Sequence, residues 1–125
     1  IEKEVNIDEE RALVSSVFHR RLARNRPLEA NPTIQYAIGE KRRVLYEDLE
    51  IDSPYNTYTH TGLPPGPIAS PGIQSILAAL YPADTDYLYF VSDGRGRHIF
   101  SKTIGEHNRA VRKYRRFMRN ARRRR

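Results

Sequence analysis

Apolar residues recur at helical spacing in three stretches of the chain. Leu13, Val14, Val17, Phe18 and Leu22 follow a 3.6-residue repeat, preceded by Asp8-Glu9-Glu10 and followed by Arg20, Arg21 and Arg24. Acids at the start and bases at the end complement the helix dipole, so this pattern predicts an amphipathic helix over 8–24, with Asp8 as its cap. Ile104, Val111, Tyr114, Phe117 and Met118 predict a second helix over 103–120. A shorter helix starts at Pro71-Gly72 and runs through Leu80, where Pro82 ends it. Tyr87-Leu88-Tyr89-Phe90-Val91 is rich in strand-forming residues and is separated from His98-Ile99-Phe100 by Asp93-Gly94-Arg95-Gly96. A β-hairpin follows from that arrangement.

The remaining segments are less regular. Ile1-Glu2-Lys3-Glu4-Val5 opens with no cap or turn before it and reads as the end of a helix that begins outside this sequence. In Leu28 to Tyr36, Asn31-Pro32 favours a turn, and Gly39 closes a short helical piece. Residues 40–52 are polar and weakly patterned. Residues 53–72 hold five of the eight prolines and three of the seven glycines, which excludes both regular helix and central strand. Tyr55, Tyr58, Leu63 and Ile68 within that stretch argue for packed order rather than a loose linker. The fold class expected is α+β: a single domain of helices with a β-hairpin and a long, ordered Pro/Gly-rich loop framing a cleft. There is no internal repeat.

With 125 residues, 38% of them hydrophobic, one domain with a modest core is the natural reading, and the absence of cysteine removes thiolate metal sites, disulfides and cysteine nucleophiles together. No apolar run approaches the roughly 20 residues that span a bilayer. The net charge of +7 changes meaning once it is divided along the chain. From Arg109 onward there are ten basic residues and no acid, whereas residues 1–108 carry twelve basic against fifteen acidic residues, a balance of −3. Such a body does not attract a polyphosphate. A division into 1–108 and a basic helix end or tail at 109–125 follows. The arginines from Arg109 to Arg125 read as a solvated helix end, with anionic lipid, nucleic acid or acidic peptides as the partners they would otherwise suit.

The candidate chemistry begins at the N-terminus. At about 100° per residue, Glu2 and Glu4 lie roughly 200° apart on a helix, with the apolar pair Ile1 and Val5 between them, so spacing alone does not choose between the two acids. His19, His60, His98 and His107 have no metal-ligand spacing, and Gly94-Arg95-Gly96 lacks the helix and lysine of a phosphate loop. No metal or cofactor is expected.

Four segments together carry a resemblance: Ile1-Glu2-Lys3-Glu4, Leu28 to Tyr36, Ser53-Pro54-Tyr55-Asn56-Thr57-Tyr58-Thr59 with Gly62-Leu63-Pro64-Pro65-Gly66-Pro67-Ile68, and Tyr87 to Asn108. In this combination and order the chain resembles the YceG-like family of endolytic murein transglycosylases. Family members read Ala-Ser-Ile-Ile-Glu-Lys-Glu where this chain begins, which implies Glu4 as the catalytic acid. The resemblance further implies that Glu4 protonates the oxygen between N-acetylmuramic acid and N-acetylglucosamine, after which the C6 hydroxyl of the muramic acid closes a 1,6-anhydro ring. It also implies Tyr55, Asn56 and Thr57 as substrate-binding residues, with Gln35 as a further sugar contact. Asn31 departs from the family pattern and is expected to form the turn before Pro32, while Gly62 to Ile68 shape a cleft wall. Glycan strands of peptidoglycan are the implied substrate and peptidoglycan synthases the implied partners. The implied place is the cell envelope, outside the cytoplasmic membrane, with a membrane anchor in a segment beyond this chain. A peptidoglycan-binding module without turnover and a basic nucleic-acid-binding protein are the alternatives.

Overall fold

The first helix starts three residues later than its sequence pattern suggests. In the computed structural model, which describes residues 1–123, Asp8–Glu10 forms a single 3₁₀ turn and α1 spans Arg11–Ala23. Asp8 caps no backbone amide there, because its carboxylate accepts the Arg11 Nε–H at 2.9 Å. Residues 1–5 form a turn closed by Glu4 N–H donating to Ile1 O at 3.0 Å.

The other elements follow in order. Asn31 opens α2 (Asn31–Ile38) instead of merely preceding it. Pro32 occupies the first turn, where its missing N–H costs nothing, and Gly39 ends the helix in the left-handed region at φ 76°. The polar stretch 40–52 contains a 3₁₀ turn, Tyr46–Glu50, pinned by Asp48: its carboxylate accepts the Leu45 N–H at 2.7 Å and pairs with Arg42 at 2.8 Å. Residues 51–72 contain no helix or strand, as their prolines require. Next come α3 (Ile73–Leu80), β1 (Tyr89–Ser92), β2 (His98–Ser101) and α4 (Ile104–Arg123). The hairpin is antiparallel, with Tyr89 opposite Ser101 and Ser92 opposite His98. Helices plus one two-stranded hairpin make the protein α+β, as expected.

The chain separates into two compact units, with the boundary inside α1. The first comprises Ile1–Arg20 and the chain from Gly72 onward; the second is Arg21–Pro71. In the first, Val5, Val14, Val17, Ala78, Leu88, Tyr89 and Ala110 are buried, and Phe18 meets Phe90 edge-on at 5.7 Å between ring centroids. Ala83 N–H donates to Ala12 O at 3.0 Å and Ser16 Oγ lies 2.6 Å from Thr85 Oγ1, so the segment after α3 is bonded along α1. In the second unit Leu28, Ala30, Ile34, Asn56 and Thr57 form the core. That core is small and rich in polar groups, so hydrogen bonding takes a large share in specifying it.

Candidate functional site

The turn at the start of the chain treats its two acids in opposite ways. Glu2 is surrounded by donors. Its carboxylate accepts the Ser75 hydroxyl at 2.5 Å, the Gly72 N–H at 2.9 Å and Arg11 Nη1–H at 2.9 Å. These bonds, chiefly that from Ser75, hold its pKa below the usual glutamate value, because each stabilises the charged form. Glu4, two residues on, is half-buried, and no hydrogen bond reaches its carboxyl among the described residues. Removal from water dominates there and pushes its pKa up.

A second pair of groups lies within the same unit. Glu10 is buried at 5% exposure, and its carboxylate is used at both ends: Oε2 accepts the His98 N–H at 2.8 Å, and Oε1 lies 2.9 Å from His98 Nδ1. Glu10, which ends the 3₁₀ turn, and Arg11, which begins α1, therefore divide the work. Arg11 holds the first turn through Glu2, and Glu10 holds the start of β2 through His98. None of Arg11, Ser75, Glu10 or His98 stood out in the sequence as a site residue. Their pairings join positions 9 to 88 residues apart, and no local spacing encodes those.

The second unit holds the remaining expected site residues. Tyr55 is half-buried and packs on Tyr36, with ring centroids 4.7 Å apart. Burial and the neighbouring Tyr36 raise the Tyr55 phenol pKa. Gly66 makes room for it, since a Cβ at Gly66 would stand 3.2 Å from the Tyr55 hydroxyl. Gln35 lies half-buried on α2, where its Nε2–H donates to Glu40 O.

Asn56 and Thr57 are both buried in the second unit. Asn56 is 0% exposed: its Nδ2 donates to Leu49 O at 3.0 Å and Ile51 O at 2.9 Å, and its Oδ1 accepts the Tyr58 N–H at 2.9 Å. Thr57 is 2% exposed, and its Oγ1 accepts the Ala30 N–H at 2.9 Å and lies 2.9 Å from Thr33 Oγ1. Here both side chains brace the loop on which Tyr55 sits. Asn31, expected only as a turn residue, also accepts the Tyr58 hydroxyl at 2.5 Å.

The class these features define is an α+β protein that desolvates one carboxyl beside another kept ionised by three donors. Residues 1–113 match the sequence model of the YceG-like family, and the chain belongs to that family. It is 54% identical over 115 residues to an endolytic murein transglycosylase of Bacillus subtilis (strain 168), covering 91% of this chain and 32% of the relative. A protein of the same description from Streptococcus pneumoniae (serotype 2, strain D39) is 39% identical over 118 residues, covering 89% of this chain and 21% of the relative. The crystal structure of a yceG-like protein from Listeria monocytogenes superposes with a TM-score of 0.83 at 50% identity, over 86% of this chain and 36% of that one. The chain therefore spans about a third or less of the length of the relatives it matches.

Proposed function

We propose that this chain carries the acid–base centre of an endolytic murein transglycosylase and that Glu4 is its catalytic residue. The observation that supports Glu4 is the contrast with Glu2. A general acid must hold its proton near neutral pH, and of the two carboxyls only that of Glu4 has its pKa raised.

In this reading Glu4 donates its proton to the oxygen joining N-acetylmuramic acid to N-acetylglucosamine. The C1–O bond breaks, and the N-acetylglucosamine leaves with a free hydroxyl. The Glu4 carboxylate then removes the proton from the C6 hydroxyl of the muramic acid, whose oxygen bonds to C1 and closes a 1,6-anhydro ring. Glu4 ends protonated and ready for the next cycle. Water takes no part as nucleophile, so one carboxyl suffices where a hydrolase needs a flanking pair. Tyr55 and Gln35 are the second-unit side chains we assign to sugar contact, with Asn56 and Thr57 holding the loop beneath Tyr55. The names of the relatives, endolytic murein transglycosylases, support murein as the substrate and the cell envelope as the site of action. No helix among the described residues is long and apolar enough to cross a membrane.

The test is incubation of purified glycan strands with the full-length protein and its Glu4→Gln variant, followed by mass spectrometry of the products. Wild type should yield internal cuts with 1,6-anhydromuramic ends, and Glu4→Gln should lose about 10²–10⁴-fold in rate. Unchanged formation of anhydro ends by the variant would overturn the assignment.

A further inference from the structure

We propose that Arg11, Glu2 and Ser75 form a positioning device that fixes the first turn of the chain and, through it, the Glu4 carboxyl. This inference rests on the reading of Glu4 as the catalytic acid.

Within the turn 1–5 the Glu4 N–H donates to Ile1 O at 3.0 Å. The Glu2 side chain ties this turn to the rest of the unit. Arg11 Nη1 donates both to Glu2 Oε2 and to Ser75 Oγ, each at 2.9 Å, and Ser75 Oγ in turn donates to Glu2 Oε2 at 2.5 Å. The backbone N–H of Gly72, at the start of α3, donates to the other Glu2 oxygen at 2.9 Å. Arg11 is itself steadied by Nε–H donating to Asp8 Oδ1 at 2.9 Å. Donors from two separate stretches of chain, α1 and the start of α3, thus converge on one carboxylate of the N-terminal turn. Ser75 is 3% exposed and the Arg11 side chain 15%, so water competes weakly for these bonds. Two peptide units link Glu2 to Glu4, and fixing one side chain in the turn constrains the direction of the other. None of the three residues needs to touch substrate.

A group that orients an acid affects turnover more than substrate binding, since misplacement by about 1 Å costs on the order of 10²-fold in rate. The experiment compares Arg11→Met, Arg11→Lys, Ser75→Ala and Glu4→Gln in the full-length protein, with kcat and KM measured on glycan strands and folding checked by circular dichroism. Arg11→Met should lower kcat about 10–100-fold with KM within about twofold of wild type. Arg11→Lys should recover part of that loss, because an ammonium group still pairs with Glu2 although it lacks the fork that also reaches Asp8. Ser75→Ala should lower kcat in the same direction and by less, and it tests the proposal independently should Arg11→Met fail to fold. Wild-type kcat in both Arg11→Met and Ser75→Ala, beside an inactive Glu4→Gln, overturns the positioning role alone. Loss in Arg11→Met that Arg11→Lys does not relieve, or a rise in KM at constant kcat, also overturns it. Retained activity in Glu4→Gln removes the reading of the acid itself, and this inference with it.

Discussion

Because burial penalises only its charged form, the Glu4 carboxyl weakens the fold as it ionises. Below the ordinary glutamate value of 4.5 both folded and unfolded chains carry it protonated, and nothing is lost. As pH rises from there through the raised folded value, the unfolded state releases the proton more readily and stability falls. Glu4→Gln should therefore melt at a higher temperature than wild type at pH 7–8, with the difference vanishing near about pH 4, even as it loses activity. A melting point below wild type at pH 8 would remove the desolvation argument. Glu2 behaves in the opposite sense. Its folded pKa lies below 4.5, so its bonds stabilise the fold above that value, and the gain disappears as pH falls through the folded value. Glu2→Gln should accordingly melt lower than wild type at neutral pH, with the gap closing on acidification. Thermal melts followed by circular dichroism across pH 3–8 read both variants. The sequence placed these acids a little over half a helical turn apart and went no further, because the donors that separate them arrive from Arg11, Gly72 and Ser75.

At the scale of elements, two loops depend on a single residue each. The loop after the Tyr46–Glu50 turn is organised around the Asn56 amide, which supplies three hydrogen bonds at zero exposure. At about 1 kcal/mol net per bond, Asn56→Ala should destabilise the protein by on the order of 3 kcal/mol, whereas Asn56→Asp should fail for a different reason, a buried charge facing the Leu49 and Ile51 carbonyls. Chemical denaturation measures the first, and a loss below about 0.5 kcal/mol would show that the amide is dispensable. The hairpin turn places Gly94 at φ 82°, and a Cβ there would stand 2.5 Å from the Phe117 ring of α4. Gly94→Ala should cost about 1–2 kcal/mol for the left-handed backbone and more for displacing Phe117, visible as a lowered denaturation midpoint. The hairpin, α3, α4 and the proline-bound loop were legible in the sequence because their signals are local: alternation, helical repeat, breakers. The 3₁₀ turn at Tyr46–Glu50 was not, since it rests on one aspartate and carries no apolar repeat. The start of α1 was misplaced because Asp8, a typical cap by composition, is drawn to Arg11 instead.

Over the whole molecule, charge is distributed by segment rather than evenly. The apolar residues of α4 lie on one face, while Arg109, Arg112, Lys113, Arg115, Arg116, Arg119, Arg122 and Arg123 are exposed. Of the tail read from the sequence, Arg124 and Arg125 lie outside the described residues. Exposed charges of this kind contribute little to stability. Replacing Arg112, Arg116, Arg119 and Arg123 by Gln should change stability by less than about 0.5 kcal/mol and leave binding to cell-wall sacculi unchanged. A sedimentation assay with sacculi at low and high salt checks this, and a salt-sensitive loss of binding would give the basic face a role in recognition.

The sequence by itself determined the α+β class, the positions of the three longer-range helical patterns and the hairpin, and, through its joint motifs, the family. Those features need only neighbours within a few residues, or a match across the whole chain. Tertiary structure decided which glutamate is ionised and which is desolvated, that Asn56 and Thr57 face inward, and that Glu10 meets His98 across 88 residues of chain. The environment of a side chain is set by what folds against it, and a carboxyl group looks the same in the sequence whether three donors surround it or none.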